Sequence, residues 1–512
     1  MSWKEVVDEI NARRARSYAL GGEERIARHH AAGRQTIRER IAKLTDPGSF
    51  MEIGVQGGFY TSMSDDSFVL DGYVCGLAKI DGRDVMIGGE DFTVRGGSEA
   101  SKKPHHIEQL AREFRIPLVL LHDGAGFNIG SLLENREVVL PAANNFFESI
   151  MELLATVPVV GAIMGSVAGG PAGRSMLSHW SCMVKHSSEL FVAGPPVVKS
   201  GIGLSVSKHD LGGSHIHTRV SGAVDNEAEN EDDCLAQVKR FLSYFPSNVW
   251  QAAPYQQPTD RPDRREEELL SIIPDNRRQG FNMRKLVRLV VDDGEFFEMT
   301  PFWGASLITG MARLNGHPVG ILANNPLVRA GAFDANAAEK HVHFMELCDQ
   351  FGIPLIYFVD VPGLMIGPKA EESGVIRKGM RALWMTTQLQ VPLLNVNVRR
   401  CYGFGGAVTR RHGKTIGLAW PSAEFGGIPI QGGVDAAFRR LIETSPDPEA
   451  KRREIQDRLS RLLSPFPAAE AMGVEDIIDP RDTRPLLIRA LEAVLPGMER
   501  YRGPRAKAGV RP

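Results

Sequence analysis

Two stretches of this chain carry the same landmarks in the same order, and that repetition constrains the fold more than any single motif does. Phe114-Arg115-Ile116-Pro117-Leu118 leads through an apolar, strand-like run to Asp123, and Phe351-Gly352-Ile353-Pro354-Leu355 leads through another to Asp360. The spacing from Phe to Asp is nine in both. Val157-Pro158 is followed eleven residues after its proline by Gly169, and Val391-Pro392 eleven residues after its proline by Gly403. Residue 351 stands 237 positions after residue 114. Solenoid repeats have periods of roughly 20–50 residues, so this spacing marks a duplicated domain instead. A length of 512 residues has room for two large domains.

Between the landmarks, short apolar runs alternate with helical stretches: YVCGLAKI, RDVMIGGEDF, IPLVLLHD, PVVGAIMG and SELFVAGP. This is an α/β rhythm. The first 45 or so residues (ARR, EERIARHH, TIRERIAKL) read as charged helices that brace the domain, closed by the turn signal Asp46-Pro47-Gly48-Ser49-Phe50. An acid-rich stretch from Asp225 to Asp233 and a proline- and charge-rich one from Pro254 to Glu268 predict a domain boundary in that region. The expected division is an N-terminal domain over 1–255 and a C-terminal domain over 256–512.

Composition excludes several classes of function. The 60 basic and 62 acidic residues nearly cancel, which removes the electrostatic case for nucleic acid as the main partner. Cys75, Cys182, Cys234, Cys348 and Cys401 form no C-x-x-C pair, against both a zinc ribbon and a disulfide framework. The polar N-terminus does not read as a signal peptide, and no run approaches the ~18 apolar residues of a membrane helix. A cytoplasmic location is the expectation. The 53 glycines cluster beside the apolar runs, where backbone must turn sharply or approach a ligand closely.

Two of those glycine clusters carry chemistry. GAIMGSVAGGPAGRSML (161–177) reads as a strand, a turn at Gly169-Gly170 and a helix. At such a turn successive backbone N–H groups lack partners and point toward a positive helix end, which suits a developing oxyanion. RRCYGFGGAVTRR (399–411) repeats the arrangement with Gly403, Phe404, Gly405 and Gly406. An isolated Gly-Gly is more often a packing turn. Two at equivalent places in a duplicated chain point to a site.

The strings EDFTVRGGS, IMGSVAGG, ELFVAGPPVVK with DLGGSHIHT, ILANNP, FVDVPGLMIGPKAEESGVIRKG and AWPSAEFGG occur in order from about Thr36 to Asp479. Together they resemble the carboxyltransferase β subunits of propionyl-CoA, methylcrotonyl-CoA and related biotin-dependent acyl-CoA carboxylases. The resemblance implies two homologous crotonase-like (ClpP/crotonase) ββα-superhelix domains and a homohexamer, with active sites between one subunit's N-terminal and another's C-terminal domain. It implies carboxyl transfer from carboxybiotin to the α-carbon of an acyl-CoA. Gly169 and Gly170 match the family's oxyanion hole for the coenzyme A thioester, and the N–H groups of Phe404 and Gly405 match the one for the biotin ureido oxygen. Gly403 and Gly406 then flank the biotin side. Biotin comes on a partner chain, a biotin carboxylase or carboxyl carrier subunit, because no A-M-K-M string and no ATP-grasp phosphate loop occurs here. No protein base is obligatory in that chemistry, so the lack of a convincing triad does not count against it.

One loop departs from the family pattern. Where members carry an Asp-Ser/Ala-Gly-Gly-Ala-Arg-Ile-Gln type of loop, this chain has Asp123-Gly124-Ala125-Gly126-Phe127-Asn128-Ile129, which points to an altered acyl preference. Phe127, Val408 and Thr409 are the candidate acyl-pocket residues, and Arg38, with Arg40, is a candidate for the CoA phosphates against the alternative of a solvated basic helix face. His215-x-His217 and His341-x-His343 share a face if extended, but lack a third metal ligand at suitable spacing, so no metal is expected. Asp123 and Asp360 read as equivalent turn or helix-cap residues. The competing functions are a biotin-dependent decarboxylase or transcarboxylase, a crotonase-type hydratase or isomerase needing carboxylates beside the glycine turns, and a non-catalytic scaffold.

Overall fold

The computed structural model describes residues 2–60, 68–97, 101–126, 147–277, 279–410 and 415–505. It divides into two compact units, residues 1–251 with 503–512, and residues 252–502.

The duplication is written into the sheets. In the first unit the strands lie side by side in the order Met51–Ile53, Tyr73–Ile80, Arg83–Glu90, Leu118–His122, Val159–Ile163, Trp180–Val184 and Asn226–Ala228. In the second the order is Phe296–Met299, Leu307–Leu314, His317–Asn324, Leu355–Val361, Leu393–Tyr402, Thr415–Ala419 and Asp476–Ile477. In each sheet the first two pairings are antiparallel and the rest parallel. Each also has a short parallel pair set off from the main run: Ser166–Ala168 on Glu189–Phe191, and Arg400–Tyr402 on Glu424–Gly426. Two-strand-and-helix units of this kind are the crotonase-type architecture that the resemblance implied.

Parallel strands are covered on both faces and so read as continuous apolar runs rather than alternating ones. Leu118–His122, Val159–Ile163 and Leu355–Val361 are buried at every position. The repeated Phe-x-Ile-Pro-Leu landmark is the step from a helix, Lys103–Phe114 or Ala335–Gln350, into such a strand. Proline there ends the helix and sets an extended entry.

The three charged N-terminal segments are helices, Trp3–Tyr18, Glu23–Ala31 and Ile37–Leu44; Ser2 and Thr36 close capping boxes with Glu5 and Glu39. The acid-rich stretch is not a linker. Asn226–Ala228 is the last strand of the first sheet, and Glu231–Tyr244 is a helix capped by Asn230, whose side chain accepts from Asp233 N at 2.9 Å. Its acids gather where the positive end of the helix favours them. Among the described residues no helix is long and apolar enough to cross a membrane.

Candidate active site

The two glycine turns occupy equivalent places. Ser166–Ala168 runs directly into Gly169, whose φ of 63° and ψ of −126° lie outside the range comfortable for a side-chain-bearing residue, and Gly170 opens the helix Gly170–Met176. Arg400–Tyr402 runs directly into Gly403, φ 53°, and the one-turn helix Gly403–Ala407. Gly169 therefore matches Gly403, Gly170 matches Phe404, and Pro171 matches Gly405. The first N–H groups of a helix have no acceptor within it, so Gly170 and Phe404 are equivalent donors by position. Pro171 has no N–H, whereas Gly405 does.

Each turn is packed against the loop that leaves the preceding parallel strand. Ala168 N donates to Gly124 O at 3.1 Å, and Ala125 N donates to Gly96 O at 2.9 Å. In the second unit Gly405 sits so close to the corresponding loop that a Cβ would fall 2.7 Å from Gly363 Cα. Phe404 is 56% exposed. Thr386 Oγ1 donates to Val408 O at 2.8 Å, and Asn395 Nδ2 to Thr409 O at 2.8 Å, so the end of this short helix is held from two sides.

Several expected site residues are placed differently. Val408 and Thr409 are buried behind the turn, and the Thr409 hydroxyl donates to Gly406 O at 2.7 Å. They support the turn instead of lining an acyl pocket. Phe127 lies outside the described residues. Arg38 makes a bidentate pair with Glu52 at 2.6 and 2.8 Å and lies over the Tyr18 ring, so its guanidinium is already engaged and is not a free phosphate ligand. Arg40 is neither a phosphate ligand nor solvated: it is 1% exposed and pairs with Glu231 and Asp123. Burial alone would weaken its hold on a proton, but the two carboxylates outweigh that and raise its pKa.

Asp123 and Asp360 are buried ion-pair centres rather than helix caps. Burial would raise the Asp360 pKa, yet hydrogen bonds and charge from Arg400 and Arg399 hold it below the ordinary carboxylate value. Folding brings carboxylates of the kind a hydratase would need close to the Gly169 turn. Asp123 packs beside Gly165, and Glu189 accepts from Ser166 Oγ at 2.5 Å, with Lys208 Nζ 3.2 Å from that hydroxyl. These carboxylates are engaged by partners, unlike the free acid and base that a hydratase needs.

The histidine pairs are not extended. His215 and His217 sit on a helical turn, and His217 Nε2 donates to Leu190 O at 2.7 Å. His341 and His343 lie in the helix Ala335–Gln350, where residues two apart do not share a face. Glu231, Arg399 and Arg400 are the residues around the turns that spacing did not single out; Glu231 lies 191 positions from its partner Arg40, beyond the reach of any local pattern.

The carboxyl transferase domain model matches residues 28–507. The carboxyltransferase subunit of propionyl-CoA carboxylase from Haloferax mediterranei is 34% identical over 96% of this chain and 96% of its own length. The methylmalonyl-CoA decarboxylase subunit alpha of Veillonella parvula is 35% identical over 99% of both. Transcarboxylase 12S, solved as a hexamer with methylmalonyl-coenzyme A bound, superposes with a TM-score of 0.90 at 32% identity, covering 100% of this chain and 97% of that one. With equivalent turns on a duplicated sheet, matched along nearly its whole length, the chain belongs to the carboxyl transferase family and is an acyl-CoA carboxyltransferase.

Proposed function

We propose that this chain transfers a carboxyl group from carboxybiotin, carried on a separate polypeptide, to the α-carbon of an acyl-CoA. Gly169 and Gly170 would receive the thioester in the first unit, and Phe404 and Gly405 the biotin ureido oxygen in the second. The observation that carries this reading is the pairing of the two turns. Each stands at the equivalent point of its own unit, so one duplicated fold supplies two separate places where backbone donors could meet negative charge.

Biotin supplies the carboxyl group and a ureido nitrogen able to take the α-proton. This chain's part is to accept charge. As the α-proton leaves, charge moves onto the thioester oxygen, where the Gly170 N–H waits, and a preformed donor of this kind contributes on the order of 3 kcal/mol. Phe404 N–H would do the same for the ureido oxygen, with the exposed Phe404 ring offering an apolar face to a bicyclic ligand. Neither donor reorganises during the reaction, because both belong to helix starts anchored by the preceding loop.

The test is carboxylation of a panel of short, branched and aromatic acyl-CoAs by the purified chain with carboxylated carrier protein, following labelled product. Product from one member establishes reaction and acyl preference together. The similarity to the Veillonella parvula decarboxylase subunit favours a second reading, the same half-reaction run from a carboxylated thioester. Free-biotin-dependent decarboxylation of methylmalonyl-CoA without net carboxylation would select it, and a folded chain inert in both assays would leave only a scaffold role. A several-copy assembly, a hexamer on the example of transcarboxylase 12S, is measured by light scattering.

A further inference from the structure

Both units bury an aspartate where a parallel strand delivers the loop under the glycine turn, but they neutralise it with different parts of the chain. Asp360 is served by the neighbouring strand. Arg400 donates to it through Nε at 2.7 Å and Nη2 at 2.9 Å, and Arg399 through Nη2 at 2.8 Å. Asp123 has no such neighbours. Its Oδ2 accepts from Arg40 Nη2 at 3.1 Å, and Arg40 comes from the N-terminal helix Ile37–Leu44. Arg40 is shared in turn with Glu231, through Nη2 at 2.6 Å and Nε at 3.0 Å, at the start of the helix Glu231–Tyr244.

The other Asp123 oxygen faces the turn. Oδ1 is buried with no hydrogen-bond partner among the described residues, and a Cβ on Gly165 would lie 1.8 Å from it. Gly165 immediately precedes the Ser166–Ala168 strand, and that strand ends at Gly169. Ala168 N is tied back to Gly124 O. The carboxylate is thus wedged between a fixed cation and the backbone that carries the turn, so shifting the one shifts the other. A buried polar atom left unpaired is uncommon, and here the close backbone approach accounts for it.

We propose that Arg40 and Asp123 are positioning residues for the acyl-CoA half of the reaction, and that Asp360, with Arg399 and Arg400, positions the biotin half. Their charges set the backbone of 165–169 and of 400–403, and through it the direction of the Gly170 and Phe404 N–H groups. The inference rests on the assignment of the two turns to thioester and biotin. One consequence is that the N-terminal helix, remote in sequence from the turn, belongs to the thioester site, whereas the cations under the biotin turn come from the strand that leads into it.

The experiment is steady-state kinetics of biotin-dependent decarboxylation on the full chain in its native assembly, varying methylmalonyl-CoA and free biotin separately. Asp123→Asn and Arg40→Lys are expected to lower kcat/KM for the thioester tenfold or more while the KM for biotin stays within twofold. Asp360→Asn and Arg400→Lys should show the opposite split, and Arg40→Lys should retain more activity than Arg40→Met. Thermal melts accompany each variant; if Arg40→Met does not fold, the conservative variants carry the test. Equal effects on both substrates, or none, from a wild type that is active would overturn this inference alone. A wild type inert with thioester and biotin would overturn the assignment beneath it and the inference with it.

Discussion

Replacing Gly405 with alanine adds one methyl group at the tightest contact of the second glycine turn. The new Cβ would stand 2.7 Å from both Gly363 Cα and Gly363 C and 2.9 Å from Gly363 O, all of them backbone atoms. Ordinary carbon contacts begin near 3.5 Å, so the turn or the Gly363 loop must move by about 0.8 Å. Overpacking of this kind costs roughly 1–3 kcal/mol, while alanine in a helix recovers about 1 kcal/mol over glycine, leaving a net cost of roughly 0–2 kcal/mol. In a unit of this size that lowers Tm by no more than about 8 °C. The effect on catalysis is larger, because a misplacement of about 1 Å in a preorganised site can cost ~100-fold. The expected result is a 10- to 100-fold loss of kcat in biotin-dependent decarboxylation, with a folded protein by circular dichroism. Gly201→Ala is the control: nothing lies within 4 Å of its Cβ position, and it should be silent. A Gly405→Ala enzyme with wild-type kcat would refute the placement of chemistry at this turn.

Two further predictions concern stability. Arg484 is 1% exposed, lies 2.7 Å from Asp292 and donates to the carbonyls of Arg261 and Val290; Arg484→Met leaves Asp292 buried without its cation and should cost about 3–5 kcal/mol, read as a lower denaturant midpoint at unchanged m-value. His341 is fully buried, and burial pushes its pKa down to about 3. The unfolded chain takes up its proton near pH 6.5 and the folded chain only near pH 3. The neutral ring's contribution is therefore complete above pH 6.5 and is lost on acidification, at a slope approaching 1.4 kcal/mol per pH unit between those values. His341→Leu should flatten the unfolding free energy between pH 6 and 4; an unchanged slope would mean that the imidazole is not excluded from protonation.

What was legible in the sequence was what is local. The duplication could be read because Phe-x-Ile-Pro-Leu marks a helix-to-strand step, and the glycine turns because a strand, small residues and a helix follow one another within a few positions. The misread features depend on distance or on a cap. His341-x-His343 would share a face only in a strand, yet Asp334 accepts from Ala337 N at 2.9 Å and starts a helix that carries both histidines. Their place just after the turn suggests that Val408 and Thr409 line a pocket, but one helical turn carries them inward, under Thr386 and Asn395. Arg40 looked like a surface charge on an amphipathic helix. Its partners, Asp123 and Glu231, are brought to it only by tertiary folding.

The two units also show where a duplicated domain has diverged. Their sheets keep the same order and the same switch from antiparallel to parallel pairing, so the frame under each turn is common. The turns differ in what they offer. Gly169-Gly170-Pro171 has no side chain beyond Cα at its first two positions and no N–H at its third, which leaves an open approach and a single donor at the helix start. Gly403-Phe404-Gly405 has N–H groups at both helix-start positions after Gly403 and an exposed aromatic ring. On the proposed assignment, a flexible thioester would meet the bare turn, where a side chain would block it, and a rigid bicyclic ring would meet the aromatic one. Exchanging the character of a single residue, Phe404→Gly, should then raise the KM for biotin while leaving that for the acyl-CoA in place. A change confined to the acyl-CoA would show that the two turns have been assigned the wrong way round.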